Sequence, residues 1–144
     1  MNDVATSIRR SGGCSLEQGP AHLRATVGPG LADEVQECYR AFVHECLQRH
    51  FRRALILGRA RVDAFNHLAL RDALRSMSVA GVPADLRIAL VAETPDLIAI
   101  YDAAVVEAGR CGIEVRRFST TADAERWLNA PSASASPPSA GASP

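Results

Sequence analysis

A chain of 144 residues, 47% of them hydrophobic, suits one domain that buries roughly two-thirds of the surface its unfolded form exposes. Its sixteen basic residues, all arginine, balance sixteen acidic ones, so no global charge draws it toward nucleic acid or an anionic membrane. The absence of lysine closes Schiff-base chemistry, the phosphate-binding lysine of a P-loop and the lysine of a receiver-like signalling domain.

The cysteines, Cys14, Cys38, Cys46 and Cys111, have neither C-x-x-C spacing nor the density of a disulfide scaffold, so free thiols in a reducing cytoplasm are the expectation. Met1 to Ser7 lacks the apolar run of a signal segment, and no stretch approaches a membrane span of about 20 residues. A cytoplasmic location without membrane insertion follows as the expectation.

Residues 1–13 are polar and contain Ser11-Gly12-Gly13, which reads as a flexible arm or the lead-in to a hairpin. Cys14 to Gln18 reads as a short strand turned by Gly19-Pro20. His22 to Val27 alternates, with Leu23, Ala25 and Val27 on one face, as a half-exposed strand does. From Asp33 the period becomes helical, with Val35, Tyr39, Phe42, Val43, Cys46 and Leu47 on one stripe, Asp33 as cap and Gln36 completing a capping box.

Arg53 to Gly58 is a short apolar strand that empties into Arg59-Ala60-Arg61-Val62-Asp63 and then a helix starting at Asp63 or Asn66, with Leu70, Ala73, Leu74 and Met77 inward. Gly81-Val82-Pro83 stops that helix. Leu86 to Ala92 is nearly all apolar, as a central strand buried on both faces should be. Thr94-Pro95-Asp96 starts a third helix, with Leu97, Tyr101, Ala104, Val105 and Ala108 inward and Gly112 placed to take the left-handed position after it. Ile113 to Phe118 alternates and carries charge, as an edge strand does. Ser119-Thr120-Thr121 then caps a short helix with Ala124, Trp127 and Leu128 inward. Residues 130–144 are rich in Ser, Ala and Pro and lack charge and apolar bulk, the composition of a disordered tail.

Strands and helices that alternate in this way predict crossover units and a single α/β domain over residues 14–129 with a four- to five-stranded mixed or parallel sheet. The order of an apolar strand near residue 55, a helix, Leu-Arg-Ile-Ala-Leu-Val-Ala at 86–92 and the ending Gly-Ile-Glu-Val-Arg-Arg-Phe-x6-Ala-Glu-Arg-Trp-Leu resembles bacterial STAS-like domains, the sulfate-transporter and anti-sigma-factor-antagonist fold and its small stand-alone relatives. The resemblance implies a βα superhelix with helices mainly on one face of the sheet, and a role in protein partnership or ligand sensing. In regulatory members a phosphorylatable serine lies in a turn at the start of the helix that follows the strand corresponding to Arg53–Gly58. Here that segment, Arg61 to His67, has no hydroxyl, so no phosphorylation site is carried over.

In open α/β sheets ligands gather at the carboxyl ends of strands, which directs attention to residues 59–67. Asp63 and His67 are four apart, the start of general-base geometry on a helix, although Asp63 reads more simply as a cap. Arg59, Arg61 and Asn66 beside a helix N-terminus are candidates for a small anion site. Cys46 and His50 share a helix face, but Cys46 belongs to the apolar stripe and His44 projects about 200° away from it, so no metal site is assigned.

The sequence therefore supports a non-enzymatic STAS-like regulatory or interaction module that binds a protein partner or small ligand without a cofactor. Self-association through an uncovered sheet face bearing Leu23 and Val27 would give a homodimer. The alternative is a small enzyme or anion-binding domain that uses Asp63, His67 and Arg59.

Overall fold

The computed structural model describes residues 6–11, 14–19, 22–28, 32–59 and 64–130; for 6–11, 32 and 64–68 it describes the backbone alone. The elements are β1 (Thr6–Ser11), β2 (Cys14–Gln18), β3 (Leu23–Val27), α1 (Ala32–Arg49), β4 (Arg53–Gly58), α2 (Ala64–Ala80), β5 (Arg87–Val91), α3 (Pro95–Arg110), β6 (Glu114–Phe118) and α4 (Thr121–Asn129). They form one mixed sheet in the order β1-β2-β3-β4-β5-β6. The β1–β2 and β2–β3 pairs are antiparallel, whereas β3–β4, β4–β5 and β5–β6 are parallel and joined by α1, α2 and α3. This is the expected α/β domain, with helices mainly on one face.

The pleat sorts side chains onto two cores. Ala54 and Ile56 of β4 and Ile88 and Leu90 of β5 join Phe42 of α1, Leu74 and Met77 of α2 and Tyr101 of α3 in the larger one. Their alternates, Leu55, Leu57, Ala89 and Val91, meet Ala124 and Leu128 of α4 on the opposite face. Strand β5 is consequently buried at every position, as its apolar run predicts. Thr120 Oγ1 accepts from the Asp123 amide at 3.1 Å and caps α4. Trp127 is half-buried on that helix, its ring 5.6 Å from Phe118 and flanked by the guanidiniums of Arg87 and Arg116 at 5.3 and 5.4 Å.

Other expectations hold at the ends of elements. Gly112 takes a positive φ of 77° after α3, and Gly81 one of 85° after α2. Thr94 occupies the cap position of α3 with Pro95 behind it, although its hydroxyl makes no cap hydrogen bond. Helix α1 begins one residue ahead of Asp33, so this carboxylate lies within the first turn and acts on the helix dipole instead of as the cap.

Three expectations are corrected. Thr6–Ser11, read as part of an arm, forms β1, so the sheet has six strands and not four or five. An antiparallel edge strand is held by backbone hydrogen bonds and requires no apolar run. The thiols are not all free: Cys14 of β2 and Cys38 of α1 form a disulfide, their Cα atoms 5.6 Å apart, whereas Cys46 and Cys111 are free. Leu23 and Val27 do not line an uncovered face, since they are 0% and 1% exposed in the core beneath α1. The partly exposed residues of β2 and β3 are Ser15, Glu17, Arg24 and Thr26, a polar set, so the apolar motive for pairing through this face is gone. Among the described residues no helix is long and apolar enough to cross a membrane.

Candidate functional site

The carboxyl ends of β3 and β4 are locked together before the segment expected to carry the site. The Arg59 amide donates to the Val27 carbonyl at 2.7 Å, continuing the parallel ladder one residue beyond the strands. The Arg59 side chain is exposed. Arg61 and Asp63 lie outside the described residues, and Asn66 and His67 fall in the first turn of α2, with backbone described and side chains not. The structure therefore brings no two candidate side chains of this segment together.

Directly beneath the end of β4 lies a feature that sequence reading missed. Tyr39 of α1 and Tyr101 of α3 are 1% and 0% exposed, and their hydroxyls share a hydrogen bond of 3.1 Å across the core. Gly58 makes room for this pair: a Cβ there would run into the Tyr101 hydroxyl and come within 2.8 Å of Tyr101 Cε2 and Leu97 Cδ2. Burial pushes the Tyr101 phenol up to about 12 and the Tyr39 phenol well above its usual range. Both are thus neutral at physiological pH and serve as a hydrogen-bonded strut between two helices. The sequence signal was present, since each tyrosine lies on its helix's apolar stripe and Gly58 ends an otherwise bulky strand. Their meeting, 62 residues apart in sequence, is a tertiary fact.

Cys46, a candidate ligand in combination with His50, is 3% exposed, and burial pushes its thiol up to about 12. It behaves as a core residue. Thr120 is committed to its helix cap, and Glu93 is exposed at the end of β5.

A groove of about 600 Å³ runs between α1 and α2, lined by Gln36, Arg40, Val43, Asp72, Ser76 and Val79 among others. Its volume lies within the range of roughly 300–1,000 Å³ typical of ligand sites. Its walls mix charge of both signs with apolar surface, and Val79 is 89% exposed at its edge. The open valine adds exposed apolar surface at the rim of a groove whose walls are partly charged. Arg75, one turn before Val79, lines the same groove, and its Nε reaches across α2 to donate to Glu107 of α3 at 3.0 Å.

Comparison with family models, curated proteins and solved structures finds no match to this chain.

Proposed function

We propose that the chain is a non-enzymatic STAS-like interaction module that receives a protein partner or small ligand on its helical layer. Strands joined by crossover helices, with three helices on one face, agree with the βα superhelix that the resemblance implies. The observation that carries the reading is the α1–α2 groove with Val79 open at its edge. Binding there uses apolar contact for affinity and the Arg40 and Asp72 charges for orientation.

Native mass spectrometry of protein taken gently from its host cells tests this. The expected spectrum contains species heavier than the 15.4 kDa chain by a second protein or a retained small molecule. Val79→Arg, a change at an exposed site, removes those species while leaving the fold intact. Bare chain alone, or heavier species indifferent to Val79→Arg, overturns the assignment to the groove.

A further inference from the structure

On the other side of α2 lies a second concavity with different chemistry. Arg71 and Arg75 are one turn apart on α2, and Glu107 and Arg110 are nearly one turn apart on α3, so four charged side chains meet where these helices pack. Glu107 is the single carboxylate among three guanidiniums, and it is already engaged. Arg75 Nε donates to its Oε2 at 3.0 Å, and Arg110 Nη1 reaches only to 4.0 Å from Oε1. The Arg75 hydrogen bond, with the charges of Arg75, Arg71 and Arg110, holds the Glu107 carboxyl below its usual range, so it stays ionised and positive charge remains in excess.

Two further observations describe the cleft beside these charges. Arg71 Nε is buried and meets no protein acceptor, so its donor is not used within the fold. The cleft that Arg71 and Arg110 line with Ala103, Ala104, Val106 and Glu107 has a volume of about 300 Å³, enough for a small molecule and too small for a peptide strand. Its apolar lining includes Val106, which is 59% exposed. The Arg110 side chain is 76% exposed, and its contact with Glu107 is long at 4.0 Å, so most of its guanidinium faces solvent at the cleft.

We infer that the α2–α3 cleft binds a small organic anion, with its carboxylate or phosphate on Arg71 and Arg110 and its apolar remainder against Ala103, Ala104 and Val106. Guanidinium forks match both head groups, and charge-assisted hydrogen bonds are the strong ones. This site is separate from the α1–α2 groove and does not rest on that reading.

Calorimetric titration of the full chain with inorganic phosphate and with succinate, in chloride buffer of constant ionic strength, tests the inference alongside NMR observation of the arginine Nε–H signals. Saturable binding of either anion with displacement of the Arg71 Nε–H signal is expected; the anion that binds identifies the head group. Arg110→Glu, at an exposed side chain, and Arg71→Gln each weaken binding by about tenfold or more. No saturable binding of either anion overturns the inference, as does binding that both variants leave unchanged. Val79→Arg leaves anion binding intact, so loss of the groove and loss of the cleft are distinguishable.

Discussion

Arg53 and Arg87 stand opposite each other at the first positions of β4 and β5, and both side chains close the C-terminal end of α4. Arg53 Nε donates to the Leu128 carbonyl at 3.0 Å, and Arg87 Nη1 donates to the carbonyls of Trp127 and Ala130 at 2.8 and 3.0 Å. The last carbonyls of a helix have no partner within it and carry the negative end of its dipole. Two cations on neighbouring strands supply what is missing, and they fasten the only helix on this face of the sheet among the described residues. Arg87 is 3% exposed, a buried charge made tolerable by those acceptors and by Glu114 at 3.7 Å.

Arg87→Met is expected to destabilise the fold by about 1.5–3 kcal/mol, because it strips charge-assisted hydrogen bonds from part-buried carbonyls at the end of α4. Hydrogen exchange should show the loss concentrated in α4, with α1 to α3 protected as before. Uniform loosening across all four helices would contradict the capping role.

Gly58→Ala is expected to cost about 1–3 kcal/mol through overpacking against Tyr101 and Leu97. Chemical denaturation would read it as a lower midpoint with unchanged slope. A neutral result would mean that Tyr101 moves aside freely.

The tyrosine pair predicts a specific alkaline response. In the unfolded chain both phenols ionise near pH 10, whereas in the folded chain burial holds Tyr101 neutral to about pH 12 and Tyr39 beyond its usual range. Between these values the unfolded state releases protons that the folded state retains. Stability is therefore undiminished below about pH 10 and falls as pH rises toward 12, by about 1.4 kcal/mol per pH unit for each tyrosine. Denaturation midpoints measured across this range should flatten in the Tyr39→Phe, Tyr101→Phe double variant.

The Cys14–Cys38 disulfide closes a loop with a sequence separation of 24 residues. Its reduction is expected to lower stability by about 3 kcal/mol, through freedom returned to the unfolded chain. Melting with and without reductant checks this; a Cys14→Ser, Cys38→Ser variant should melt like the reduced protein and be indifferent to reductant. Cys46 is expected to resist alkylation until unfolding, because burial keeps its thiol protonated.

Much of this architecture was legible from local pattern. The apolar run at 86–92 gave the central strand, and Thr94-Pro95-Asp96 and Ser119-Thr120-Thr121 gave two helix starts, because capping chemistry and burial periodicity act within a few residues. What escaped depends on distant partners. Alternation in β3 separates Leu23 and Val27 from Arg24 and Thr26 without saying which set α1 will cover. Cys14 and Cys38 meet across a strand and a helix. Arg87 reads as a surface charge until the carbonyls of α4 arrive beside it. At the candidate site, residues 59–67 were singled out by their place after β4, yet the structure describes only one of their side chains, Arg59. Arg71 and Arg75 of α2 are more than thirty residues from Glu107 and Arg110 of α3, and only the packing of the two helices brings these charges together.

Strand order in this sheet is the same as sequence order. No strand has to be threaded between two that are already joined, so assembly can proceed by accretion, each new strand docking on an open edge left by its predecessor. The loops to be closed at each step are a hairpin or one crossover helix long, which keeps the entropic barrier to each addition low. The same order makes the two ends of the sheet separable from its middle: fraying at β1 or β6 peels away one ladder and leaves the β3–β4–β5 pairing undisturbed.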